Sequence, residues 1–140
     1  MTLTDASFLI ALIDQGDPYH QICRTWAAQV RPPLVTTWPC FTEAMHLLRR
    51  GGGWSAQSYL WSYVEAGTIV FHFNNPVEQL RMQSLMAQYQ DLPMDLADAS
   101  LVAAAETRQE TEICTLDRDF YIYRLPNGRA FSVLPFFCST

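Results

Sequence analysis

The chain has 140 residues, of which 49% are hydrophobic and only 16% are charged. This length and composition predict one globular domain, residues 1–140, that buries a core without disulfides or structural metal. The net charge of -5 gives no overall attraction for nucleic acid, so phosphate binding must be local or metal-mediated. All nine basic residues are arginines, which excludes chemistry that needs a lysine, such as a phosphate-loop, Schiff-base or receiver-type phosphoacceptor mechanism.

The cysteine pattern and the first residues bear on metal binding and on the cellular location of the chain. The four cysteines include no C-x-x-C pair, so structural zinc is not expected, and Cys40 and Cys114 are predicted to be small buried residues. Asp5 follows the initiator too closely for a signal peptide, and the apolar run 8–13 is too short to span a bilayer. We therefore expect a cytoplasmic protein with no membrane association.

The first half of the chain alternates short apolar runs with helical patterns. Residues 1–4 predict a short strand, and the apolar residues that follow Asp5 recur at helical spacing. The pair Asp17-Pro18 is predicted to cap and open a second helix. A β-branched run at 34–37 predicts the next strand, and a third helix is expected to begin at Pro39.

The second half continues the same alternation. Three glycines at 51–53 predict a break that permits a mobile turn. Residues 68–73 predict a strand, 76–89 an amphipathic helix and 131–134 a last strand. The order predicts an α/β fold with a central, mostly parallel sheet of four to five strands and helices on both faces.

The stretch 95–120 carries the most informative pattern. It opens with Asp95 and Asp98 and continues as a segment that is apolar on nearly every side, which predicts a buried helix before a polar turn at 106–112. A helix cap explains Asp95. Asp98 needs a partner, because the remaining surface of its helix is predicted to be buried. A short strand over 113–115 then precedes the next acid.

Four acids are expected where strands end or helices begin: Asp5, Glu43, Asp98 and Asp117. The carboxyl ends of parallel strands meet at one edge of a sheet, where crevices form. Carboxylates collected there repel one another, and a divalent cation removes that repulsion. Oxygen-only ligands suit Mg²⁺ or Mn²⁺. Helix capping is the alternative for these acids, and their spacing alone leaves both interpretations open.

Four segments, in this order, resemble the PIN-domain nucleases, and particularly the VapC-type toxins of toxin–antitoxin pairs: TDASFLIALID, TEAMHLL, DLADASLVAAAE and TLDRDF. The resemblance covers essentially the whole chain, and the order and spacing of the segments carry it. It implies a PIN-like fold and a Mg²⁺- or Mn²⁺-dependent endoribonuclease that cleaves RNA phosphodiester bonds. It also implies the toxin of a type II toxin–antitoxin system, with a cognate antitoxin and a homodimer.

The resemblance also assigns site residues. Its metal-binding and catalytic acids fall on Asp5, Glu43, Asp98 and Asp117. Thr115 matches a supporting hydroxyl position, and Asp119 is the alternative to Asp117, which is preferred because it directly ends the strand. Ser7 is a further candidate that orients a carboxylate or a phosphate. Arg118 either forms an ion pair, the favoured interpretation, or meets RNA phosphate.

Two alternatives keep the fold and change the function. One is a PIN ribonuclease of RNA processing without toxicity, and the other is a degenerate PIN binding module without activity. The presence of all four acids argues against the second.

A surplus of aromatic side chains after the glycines predicts a protein interface in addition to core packing, at Trp54, Tyr59, Trp61 and Tyr63.

Overall fold

The computed structural model describes residues 1–135, which form a parallel sheet with α-helices on both faces. The strands are β1 (Thr2–Thr4), β2 (Leu34–Thr37), β3 (Ile69–His72), β4 (Glu112–Cys114) and β5 (Ser132–Leu134). The helices are α1 (Ala6–Ile13), α2 (His20–Ala27), α3 (Trp38–Glu65), α4 (Pro76–Gln88) and α5 (Leu96–Arg108).

The sheet has the strand order β3-β2-β1-β4-β5, and every neighbouring pair is parallel. In the central register Leu3 lies opposite Val35 on one side and Ile113 on the other. The predicted α/β fold with a parallel sheet is confirmed. Because all strands run the same way, the joints that follow β1, β2 and β4 meet at one edge of the sheet.

The strands are buried on both faces, as parallel sheets require. Leu34 packs in a cluster with residues of α1, α2 and α3, whereas the next residue, Val35, packs in a second cluster with residues of α4 and α5. The alternation follows from the two-residue period of a strand, which directs successive side chains to opposite faces. The core therefore has two layers, one on each side of the sheet.

Helix α5 is buried on nearly every side, as its composition predicts. Every residue from 97 to 105 is buried, and its alanines allow the helix to lie close to the sheet and to α4. The predicted polar turn began too early, because α5 continues to Arg108 and ends at Gln109, which adopts a left-handed φ of 54°. The expected burial of Cys40 and Cys114 is confirmed, while Cys138 lies outside the described residues.

The start of α2 differs from the prediction. The helix begins at His20, and its N-cap residue Tyr19 makes no side-chain capping bond. Asp17 lies earlier, in a turn, where its Oδ1 accepts a hydrogen bond of 2.8 Å from the Tyr19 backbone N–H. Asp17-Pro18 therefore forms a local turn and does not open the helix. The Asp17 carboxylate accepts its hydrogen bond from the backbone two residues later, which is typical of an aspartate in a turn.

The glycine segment bends α3 at a single residue. Gly51 and Gly52 continue the helix, but Gly53 has φ 60° and ψ -152°, so two helical halves meet there at a kink. Only glycine adopts this backbone conformation at low cost.

In the chain from residue 1 to 135, none of the helices is long and apolar enough to cross a membrane.

These glycines generate a paired stability prediction. Gly53→Ala should lower the free energy of unfolding by about 1–3 kcal/mol, because a side chain is strained at that φ and ψ. Gly51→Ala should raise it by about 0.5–1 kcal/mol, because an added Cβ stabilises a helix interior and meets nothing within 4 Å. Urea unfolding of both variants checks the pair, and equal effects of the same sign would contradict the kink.

Candidate active site

Acidic side chains from α3 and α5 and from the joints after β1 and β4 meet at the carboxyl edge of the sheet. They line a cavity of about 70 Å³ together with Ser7 and Cys40. The acids that line it are Asp5, Glu43, Asp95, Asp98 and Asp117. The four predicted site acids therefore share one cavity, although they stand far apart in the sequence.

Asp5 is held by three hydrogen bonds at the joint between β1 and α1. Its Oδ1 accepts from the Phe8 backbone N–H at 3.1 Å and from Ser7 Oγ at 2.7 Å, and its Oδ2 accepts from Thr115 Oγ1. The first bond is the capping interaction, so Asp5 caps α1 and also lines the cavity. Burial raises the pKa of Asp5 to about 6, although the hydrogen bonds oppose the shift.

Two hydroxyl groups connect the β1–α1 joint with the residues that follow β4. Ser7 Oγ accepts a hydrogen bond of 2.9 Å from the Leu116 backbone N–H, and Thr115 Oγ1 accepts one of 2.9 Å from the Asp117 backbone N–H. Each hydroxyl donates to Asp5. Ser7 and Thr115 therefore fix the Asp5 carboxylate relative to the backbone that carries Asp117. Thr115 directly follows β4 and is not part of the strand.

Asp98 is buried on α5, with only 8% of its surface exposed. Asp95 caps this helix, as expected, by accepting the Asp98 backbone N–H at 2.8 Å. The partner that Asp98 requires is Tyr123, whose hydroxyl donates to Asp98 Oδ2 at 2.8 Å. Burial raises the pKa of Asp98 to about 8, the Tyr123 hydrogen bond lowers it, and the charges of nearby acids raise it further.

Tyr123 is the site residue that sequence reasoning missed. It stands 25 residues after Asp98, in a stretch whose pattern indicates no helix face or motif. The raised pKa of Tyr123 has burial as its main cause, followed by the Asp98 hydrogen bond. The hydroxyl therefore stays protonated and remains a donor to the carboxylate.

Glu43 and Asp119 lie nearer to solvent than Asp5 and Asp98. Glu43 is exposed on α3, and partial burial together with the charges of Asp95 and Asp117 raises its pKa. The pKa of Asp119 is also raised, first by burial and then by the charges of Asp117 and Asp95. The charges of Asp95 and Asp117 thus act on both Glu43 and Asp119.

A second grouping of acids includes Asp119. One carboxylate oxygen from each of Asp98, Asp117 and Asp119 lies within 4.8 Å of the others. Opposite ligands of an octahedral Mg²⁺ are about 4.2 Å apart, because each lies about 2.1 Å from the ion. The three oxygens are therefore close to the spacing that a shared cation requires. Asp98 and Asp117 belong to this grouping and to the cavity.

Within the described residues 1–135, Arg118 does not form the ion pair that the favoured interpretation expected. Its side chain is exposed, and within residues 1–135 the salt bridges involve other residues. The Oδ1 atom of the preceding Asp117 instead accepts the Asp119 backbone N–H at 2.9 Å and caps the short 3₁₀ helix Arg118–Tyr121.

Comparison with solved structures places this chain in a class of folds. VapC20 of Mycobacterium tuberculosis, described as a sarcin-ricin loop cleaving toxin, is similar to this chain with a TM-score of 0.78 and 18% identity. That match covers 85% of this chain and 92% of VapC20. The chain therefore has the PIN-like α/β fold of VapC20, and the fold that the resemblance implied is confirmed.

A second similar structure belongs to a toxin–antitoxin complex from Klebsiella pneumoniae. Its TM-score is 0.64 at 19% identity, and the match covers 86% of this chain and 90% of that one. No protein-family model and no curated protein matches the sequence. At these identities the structural likeness establishes the fold, and the chemistry has to be argued from the site.

The raised pKa of Asp98 generates a prediction about pH. A folded-state pKa of about 8, above the ordinary value of 3.8, contributes stability at low pH that is lost as the pH rises through 8. In excess chelator, Asp98→Asn should therefore be more stable than the parent at pH 9 and similar to it near pH 4. The difference should exceed about 1.4 kcal/mol, the equivalent of one pKa unit.

Urea unfolding across this pH range measures the effect, with Asp91→Asn as a control in an exposed turn. Asp91→Asn should retain the parental pH dependence. If Asp98→Asn shows that same dependence, Asp98 is not the group whose ionisation destabilises the metal-free fold.

Proposed function

We propose that this chain is a Mg²⁺- or Mn²⁺-dependent endoribonuclease and the toxin of a type II toxin–antitoxin system. The observation that carries the proposal is the convergence of Asp5, Glu43, Asp98 and Asp117 on one cavity at the carboxyl edge of the sheet. The fold shared with VapC20 supports the same class of function. The four acids are proposed to be the metal-binding and catalytic residues.

The donor set fits a hard divalent cation. The cavity presents several carboxylate oxygens, which are the ligands that Mg²⁺ and Mn²⁺ prefer. Cys40 also lines it, but burial raises the pKa of this thiol to about 12, so it stays protonated and is a poor ligand. Burial and mutual repulsion disfavour the charged carboxylates, and a bound cation would offset both effects.

The proposed reaction is hydrolysis of an RNA phosphodiester. A divalent cation at this site would lower the pKa of a water molecule and polarise the phosphoryl oxygens. The water oxygen would attack phosphorus in line while the P–O3′ bond breaks, and the proton that the water loses would balance the proton that the departing 3′ oxygen takes up. Hydrogen bonds hold Asp5 and Asp98 in place, and fixed ligands lower the cost of reorganisation during the reaction.

The less buried residues are the ones positioned to meet substrate. Glu43 is exposed, and Asp117 and Asp119 are half-buried, so an incoming RNA backbone would approach from their side. RNA is repelled by an acidic site, and the cation would reverse that repulsion locally. Exposed Arg118 is proposed to contact a phosphate there, because arginine binds phosphate oxygens well.

A cognate antitoxin is the proposed protein partner. A groove of about 730 Å³ lies between α1 and α3. Ile10, Ile13 and Leu48 supply apolar walls, and Gly52 and Ser55 are among the small residues that widen it. An amphipathic helix is the ligand that such a groove accommodates. An antitoxin arginine that reached the acidic cavity would compete with the cation.

A homodimer is also proposed, on the basis of the aromatic residues in the second half of α3. Trp54 is 68% exposed and Tyr59 is 47% exposed. Trp61 is a core residue in part, because its ring packs against Phe41 at a centroid distance of 4.9 Å. Exposed aromatic side chains of this kind commonly anchor protein interfaces. Trp54 is therefore the first residue to test.

The central test is cleavage of RNA by the purified chain. We expect cleavage with Mg²⁺ or Mn²⁺, none in excess chelator, and at least about a hundredfold loss in Asp98→Asn. The neutral isostere keeps the shape of the side chain and removes a ligand charge. Asp91→Asn, in an exposed turn, should cleave at the parental rate.

Two outcomes would refute the proposed metal chemistry: cleavage that persists in chelator, and parental activity in Asp98→Asn.

Expression without any antitoxin separates the toxin from a PIN ribonuclease of RNA processing. Growth arrest that disappears with Asp98→Asn supports the toxin. Harmless high-level expression of the active parent supports RNA processing instead.

The dimer is tested by light scattering over a range of concentrations. Trp54→Ala should shift the equilibrium towards monomer, because it removes an interface anchor, and a shift of about tenfold or more is expected. Val77→Ala is the control, since Val77 is 75% exposed on α4, whose core residues pack in a different cluster from those of the second half of α3. A parent that is monomeric at every concentration would refute the homodimer.

A further inference from the structure

Tyr123 forms a hydrogen bond with one carboxylate oxygen of Asp98, a proposed metal ligand. The residue is fully buried, and its hydroxyl donates to Asp98 Oδ2 at 2.8 Å. Its ring makes edge contacts with Tyr89 and Phe120, each at a centroid distance of 5.1 Å. Phe120 in turn contacts Phe131 at 5.6 Å. The hydroxyl therefore sits on a packed aromatic cluster and cannot move away easily.

The two oxygens of Asp98 consequently have different environments. Oδ2 accepts the Tyr123 hydroxyl, whereas within residues 1–135 no donor is bonded to Oδ1. Asp5 contrasts with Asp98, because both of its oxygens accept hydrogen bonds. Asp98 thus presents one free oxygen to the cavity, while a buried hydrogen bond already occupies one lone pair of its second oxygen.

Cation size determines whether this difference matters. Mg²⁺ requires near-ideal octahedral geometry and single oxygens at about 2.1 Å, whereas Ca²⁺ takes six to eight oxygens and often binds both atoms of one carboxylate. A carboxylate that is restricted to one oxygen suits the smaller ion. Two-oxygen binding by Asp98 would bring the ion to an oxygen that already accepts from Tyr123, which weakens that buried hydrogen bond and disfavours the two-oxygen geometry.

We propose that Tyr123 is a positioning residue that restricts Asp98 to one ligand oxygen and so favours Mg²⁺ or Mn²⁺ over Ca²⁺ at this site. The inference rests on the proposed metal-dependent function and adds the origin of its cation preference. Tyr123 acts through Asp98 and touches neither ion nor substrate.

The chain provides a matched control in Tyr89. Its ring packs against the same Tyr123 ring, but its hydroxyl accepts the Arg124 backbone N–H at 3.1 Å. Tyr89→Phe and Tyr123→Phe each remove one hydroxyl from one aromatic cluster. Only Tyr123→Phe removes a hydrogen bond to an acid, so the pair separates positioning of Asp98 from packing of the cluster.

The experiment is a calorimetric titration of Mg²⁺, Mn²⁺ and Ca²⁺ into the parent and both variants, with thermal unfolding measured beside it. In Tyr123→Phe we expect Mg²⁺ and Mn²⁺ affinity to fall about 10–100-fold, the usual effect of losing a partner of a ligand. Ca²⁺ affinity should fall less or rise, because Oδ2 becomes free to bind. Tyr89→Phe should retain the parental affinities and preference.

The outcomes separate this inference from the function on which it rests. A parent that binds none of the three ions refutes the metal site and with it the inference. A parent that binds Mg²⁺ beside a folded Tyr123→Phe variant with an unchanged Mg²⁺-to-Ca²⁺ ratio refutes the role of Tyr123 alone. Equal losses in Tyr123→Phe and Tyr89→Phe show that the cluster acts only through packing, which also refutes it.

Discussion

The partial removal of several neighbouring carboxylates from water is the constraint on which the rest of this site depends. Asp98 and Asp5 are buried within reach of further acids, and burial raises the pKa of both despite the hydrogen bonds that stabilise their charged forms. Hydroxyl groups of Tyr123, Thr115 and Ser7 reduce this cost without removing it. A positive charge placed next to such a cluster would offset the repulsion between its carboxylates.

The fold supplies the rigidity that this arrangement needs. An all-parallel sheet brings the joints after its strands to one edge, and α5 carries Asp98 to that edge while it is buried along most of its length. Behind the site, Ser100 Oγ lies 2.6 Å from Thr37 Oγ1, and Asn74 donates to the Ser100 carbonyl at 3.0 Å. These bonds connect α5 with the ends of β2 and β3, so the acids stand on elements that cannot shift independently.

The sequence was sufficient for the features that depend on local patterns. Period and composition predicted the parallel α/β fold, the buried α5 and the cap at Asp95, because each follows from neighbouring residues. Contacts between distant residues could not be predicted in this way. Tyr123 resembles any core aromatic until the fold brings it to Asp98, which lies 25 residues earlier in the sequence. The choice between Asp117 and Asp119 is also geometric, since both lie near Asp98.

If these carboxylates bind one divalent cation, a crystal grown with Mn²⁺ should reveal it through the anomalous scattering of the ion. We expect an anomalous peak about 2.2 Å from one oxygen of Asp98 and one of Asp117, with the Tyr123 hydroxyl still bonded to Asp98 Oδ2. A Mn²⁺ peak elsewhere on the protein, with no density between Asp98 and Asp117 at saturating Mn²⁺, would contradict it.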